Sequence, residues 1–112
     1  MDERFYKFQN SLQAGVKLSI AAEDFSLKEI PESIYSVYCE YLRQRLRPAA
    51  ERMVEGEDTS RLEKLWQLQN FPEGMLNELL TVAAREQKNA AYVWLLRKKE
   101  ETWGFSPRDL SL

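Results

Sequence analysis

Four arginines, Arg43, Arg45, Arg47 and Arg52, follow three tyrosines, Tyr35, Tyr38 and Tyr41. Guanidinium groups grip phosphate oxygens and aromatic rings stack on unpaired bases, so these residue types could form a phosphate or single-stranded nucleic-acid surface. Glu40, Glu51 and Glu55 share the same stretch at helical spacing, which favours the alternative of a solvated, ion-paired face. The tyrosines would then be half-buried core residues.

Acid–base chemistry has fewer candidates. Glu23 with Asp24, and Glu100 with Glu101, are the paired carboxylates, but adjacent residues on a helix do not face one another. The chain contains no histidine, which removes the commonest general base and the commonest zinc ligand together. Cys39 has no activating base near it in sequence and no second cysteine to pair with, so it reads as a small buried hydrophobe in a reducing compartment. With no glycine-rich phosphate loop either, the sequence points away from an enzyme and implies no metal and no cofactor. Trp66, Trp94 and Trp103, with Phe71 and Phe105, are potential interface anchors, although most should be core. They also leave room for a homodimer.

The whole chain sets the limits on these side chains. Its 112 residues suit one domain with one core. Hydrophobic residues make up 44% and charged residues 30%, with only 4 Gly and 4 Pro, which suits a folded helical protein rather than an all-β or disordered one. Sixteen basic against 18 acidic residues give a net charge of −2, too balanced for long-range attraction to nucleic acid or an anionic membrane. Neither a secretory signal nor a membrane-spanning run is evident, so the expected location is the cytoplasm.

Apolar periodicity predicts an all-α chain of about five helices. Phe5, Phe8, Leu12, Val16 and Ile20 place the first helix over about residues 3–22. After a loop, Pro31 suits the first turn of a second helix carrying Ile34, Tyr38, Leu42, Leu46, Ala49 and Met53, which Pro48 should kink or break. Gly56-Glu57-Asp58 is a stop, and Ser60 with Glu63 resembles a capping box for a short helix bearing Leu62, Leu65, Trp66 and Leu68. Asn70-Phe71-Pro72 leads into a helix with Met75, Leu76, Leu79, Leu80, Val82 and Ala83. Gln87-Lys88-Asn89 separates it from a last helix that Gly104 terminates. Short connections imply antiparallel neighbours.

The stretch from Leu80 to Leu96, a small-residue helix with Ala83 and Ala84, a polar turn and a helix ending in a leucine pair, resembles the two-helix core of an ankyrin repeat. Leu62 to Trp66 resembles the outer helix of a preceding, degenerate unit. Thr81 stands where the family prefers histidine and Gln87 where it prefers glycine. The resemblance is to degenerate, bacterial-type helical-hairpin repeats. It implies one domain over residues 1–112, either a compact bundle or a short solenoid. N-terminal helices at 1–55 would act as a cap, with an ankyrin-like hairpin region at 58–104 and a tail at 105–112. Leu110 and Leu112 of the tail are expected to fold back on the last hairpin.

The same resemblance implies a partner-binding surface at Phe71, Glu73, Asn77, Thr81 and Arg85, since such units present the inner helix and the loop before it. The expected function is therefore a small protein–protein interaction or adaptor protein. The alternatives are an inhibitor of a host protein encoded by a mobile element, and a nucleic-acid-binding regulator using Arg43, Arg45, Arg47 and Arg52.

Overall fold

A computed structural model describes residues 2–104, and the tail 105–112 with its Leu110 and Leu112 lies outside the described residues. Seven α-helices and no strand are found among them: α1 (Asp2–Asn10), α2 (Ala14–Asp24), α3 (Glu32–Gln44), α4 (Leu46–Glu55), α5 (Thr59–Leu68), α6 (Glu73–Arg85) and α7 (Asn89–Trp103). The all-α expectation holds. The count exceeds five because two expected helices are each divided.

The first division falls at Ser11, whose hydroxyl accepts the Gln13 backbone N–H at 3.1 Å, giving the backbone a local alternative to the helical ladder. Asn10 Nδ2 caps the Tyr6 carbonyl at 2.8 Å. Leu12, expected in the apolar stripe, therefore sits fully exposed in the turn. Turning back puts Phe8 against the second layer. Its ring meets Tyr38 and Tyr41 edge-on at 5.1 and 5.0 Å, while Lys17 Nζ lies 4.7 Å from its centroid.

Pro48 causes the second division. Its ring excludes the carbonyl of residue 44, so α3 ends at Gln44, Arg45 leaves helical geometry at φ −131°, ψ 41°, and α4 begins again with Pro48 in its first turn. A break, not a kink, results. The cap of α5 also differs from expectation: Asp58, not Ser60, accepts the Arg61 N–H at 3.1 Å, and Ser60 lies inside the helix.

From α4 onward the same turn occurs twice. Asp58 N–H bonds the Met53 carbonyl and Lys88 N–H the Ala83 carbonyl, both at 2.8 Å, closing equivalent six-residue helix ends. The residue before each is left-handed, Glu57 at φ 52° and Gln87 at φ 58°. The residues after match closely too: Asp58 has φ −89°, ψ 76° and Lys88 φ −88°, ψ 76°. The hairpins α4–α5 and α6–α7 are thus joined by one turn design, and the recurrence starts inside the segment read as N-terminal helices.

Side-chain bonds between the hairpins fix their relative direction. Arg47 of α4 pairs with Glu78 of α6, Glu57 Oε1 accepts the Ala90 N–H at 2.8 Å, and Glu63 of α5 accepts from Trp94 Nε1 of α7 at 3.2 Å. Early residues meet early and late meet late, so α4 runs parallel to α6 and α5 to α7. The described residues extend 52 × 25 × 20 Å with a radius of gyration of 15.3 Å, above the roughly 13 Å of a round domain of this size. The layers lie in a row. One continuous core threads them, from Phe8 and Tyr38 through Leu42, Ala49 and Val54 to Leu65, Phe71, Leu79 and Leu95.

Candidate functional site

α6 starts after Pro72, whose fixed φ suits a helix beginning, and Glu73 in its first turn complements the positive end of the dipole, as Arg85 in its last turn complements the negative end. Leu76, Leu79 and Ala83 face the core. Glu73, Asn77, Thr81 and Arg85 are left exposed at steps of four. Each step adds about 40° beyond a full turn, so the stripe winds by about 120° along roughly 18 Å, and its two ends point in different directions.

Within the stripe, the Thr81 hydroxyl donates to the Asn77 carbonyl at 3.1 Å, leaving its lone pairs outward. Arg85 lies 3.4 Å from Glu86 and remains mostly exposed. Phe71 departs from the expected surface. It is 1% exposed, edge-on to Trp66 at 5.2 Å and tilted against Trp94 at 6.1 Å. A bulky ring just ahead of a proline-started helix finds more apolar contact beneath that helix than beside it, so Phe71 is a core residue. Trp66 and Trp94 are likewise buried, Trp103 is partly exposed, and Phe105 lies outside the described residues.

The arginines do not form one patch. Arg47 is held by Glu51 at 3.1 Å and by Glu78, Arg52 donates to Ser19 Oγ at 3.2 Å, and Arg45 stacks on Tyr41 at 4.1 Å. Arg43 and Arg52 line separate grooves, Arg43 beside Lys28 and Lys64, and Arg52 beside Glu23 and Asp58. Of the tyrosines beside them, Tyr38 and Tyr41 are buried, whereas Tyr35 is 41% exposed.

Neither carboxylate pair forms an acid–base site: Glu23 and Asp24 are both engaged by the Arg4 guanidinium, at 3.5 and 2.6 Å. Asp24 is buried and accepts from Arg4 Nε at 2.6 Å, while exposed Glu23 bonds Ser19 at 2.6 Å. Glu100 is exposed and Glu101 lies 3.6 Å from Lys98. Cys39 is a buried free thiol. No helix among the described residues is long and apolar enough to cross a membrane.

No protein-family model, curated protein or solved structure matches the chain. The fold and its chemistry must therefore be read from its own residues.

Two features escaped the sequence reading. Glu57 was read only as part of a stop signal, yet its carboxylate caps a helix of the next hairpin. Met53 to Asp58 and Ala83 to Lys88 take the same turn yet share no residue at any matching position, so the sequence carries no clear signal for it. The second is a groove of about 530 Å³ between the α2–α3 loop, α3 and α5. Its residues come from three separate segments, and no local pattern marks them.

Proposed function

We propose that this protein is a small helical adaptor that works by binding another protein, with the exposed stripe of α6 as a contact surface. The observation that carries this reading is the pair of parallel hairpins joined by the same left-handed turn. Read through the ankyrin-like resemblance, the two hairpins would be successive units that present their inner helices to a partner. On this reading the contact residues are Glu73, Asn77, Thr81 and Arg85, backed by the rigid layer of Phe71, Trp66 and Trp94.

Asn77 and Thr81 are the discriminating positions because both are exposed and neither side chain contacts the core. The double substitution Asn77→Lys, Thr81→Lys should abolish capture of a cellular partner by the immobilised protein while leaving the melting temperature within about 2 °C. Undiminished capture would discard the α6 surface.

A further inference from the structure

The groove between the α2–α3 loop, α3 and α5 is lined by Lys28 and Leu27 from the loop, Tyr35 and Arg43 from α3, and Lys64 and Leu68 from α5. Three of its lining residues are cations and none is acidic, in a chain whose acidic residues outnumber its basic ones. Among the described residues Lys28, Arg43 and Lys64 make no ion pair, so no neighbouring carboxylate neutralises the three charges in the groove. Lys64 is fixed by donating to the Ser26 carbonyl at 3.1 Å, which ties α5 to the loop and keeps the groove walls in place. Between the charges lie apolar groups that water covers poorly: Leu27 is 43% exposed and Tyr35 41%, above the buried ring of Phe25.

Concentrating like charges around a partly apolar trough is unfavourable in the free protein and is relieved when an anionic occupant arrives. We propose that this groove receives an acidic segment of a partner protein, with carboxylates meeting Lys28, Arg43 and Lys64 and an apolar side chain lying against Leu27, Tyr35 and Leu68. A volume of about 530 Å³ falls within the roughly 300–1,000 Å³ typical of ligand sites. A peptide suits it better than a nucleic acid strand. A phosphate backbone needs cations to continue along its path, and exposed Glu29 and Glu32 flank the loop's exit into α3. This groove is separate from the α6 stripe, so either assignment can fail alone.

The test is fluorescence anisotropy on the full chain with three labelled probes: a short peptide of glutamates around one leucine and one phenylalanine, its lysine-for-glutamate counterpart, and single-stranded oligo-dT. The acidic peptide should bind with a Kd of roughly 1–100 μM and weaken with salt, and the lysine counterpart should not bind. Lys28→Glu with Arg43→Glu, at two exposed positions without ion pairs, should weaken it by about tenfold or more with an unchanged circular dichroism spectrum. Leu27→Ser should weaken it about fivefold without changing the salt dependence. Lys7→Glu on α1 should leave the affinity unchanged. Absent binding of the acidic peptide, equal affinity of the doubly reversed variant, or tighter binding of oligo-dT through the same two residues would each overturn the proposal.

Discussion

Glu57 and Gln87 hold the same backbone position in the two turns with opposite consequences. A side chain at φ near +55° crowds the following carbonyl at a cost of about 1–2 kcal/mol, which glycine avoids. The Gln87 side chain makes no hydrogen bond among the described residues that would compensate, so Gln87→Gly should stabilise the protein by about 0.5–1 kcal/mol in urea titration. Glu57 differs because its carboxylate serves the Ala90 and Ala91 N–H groups at 2.8 and 3.5 Å. Lys88, the residue at the start of α7, offers them no cap of its own. Glu57→Ala should therefore destabilise by about 1 kcal/mol and speed hydrogen exchange at those two amides. A stabilised Glu57→Ala variant would show that the carboxylate contributes little as a cap.

At the scale of elements, α5 and α7 are tied by a charged cluster on an aromatic base. Lys98 Nζ reaches Glu63 at 2.8 Å and lies 5.7 and 5.6 Å from the centroids of Trp66 and Trp94. The Lys98 ammonium holds the Glu63 carboxyl below its ordinary 4.5, with Gln67 and Trp94 adding and burial opposing. At Asp58 burial raises the carboxyl, but the Arg61 guanidinium and backbone N–H together outweigh it and the net shift is downward. A lowered folded-state value means stability that is complete above the unfolded value and lost as pH falls through the folded one. Wild type should accordingly be more stable than Glu63→Gln at about pH 7, and the gap in urea midpoints should narrow progressively as the pH falls below the ordinary carboxylate value of 4.5. A gap independent of pH would remove the ion pair from the explanation.

Element boundaries also show how much the sequence made readable. The stripes of Ile34, Tyr38 and Leu42, and of Leu76, Leu79 and Ala83, follow directly from helical periodicity, and all six residues are buried. Pro48 announced its break through its own covalent structure. Ser11 did not, because a hydroxyl that competes for a backbone N–H looks the same in sequence as one facing water. Gly56-Glu57-Asp58 is the expected stop, and within it Gly56 takes φ −85° while the left-handed conformation falls on Glu57. The exposed stripe of α6 was legible from the resemblance. Phe71 was misplaced because its burial depends on Trp66 and Trp94, and Lys28, Arg43 and Lys64 converge only after α3 and α5 have packed.

On the scale of the whole molecule, layers in a row contact mainly their neighbours, so a local loss should stay local. Phe71→Ala removes a ring from the Trp66–Trp94 layer and should cost about 3–5 kcal/mol there. Hydrogen exchange should then accelerate across α5, α6 and α7 well before the amides of α1 and α2 respond. Uniform acceleration along the chain would indicate one cooperative unit instead.

The hydrogen bond from Ala90 to Glu57 gives the array a polarity. Glu57 projects its side chain forward to the first N–H groups of α7, and Gln87, with an amide in place of the carboxylate, holds the equivalent left-handed position in the second turn. Grafting a further copy of α6–α7 beyond the last hairpin would offer a new helix start to this amide, and Gln87→Glu would supply the missing negative acceptor.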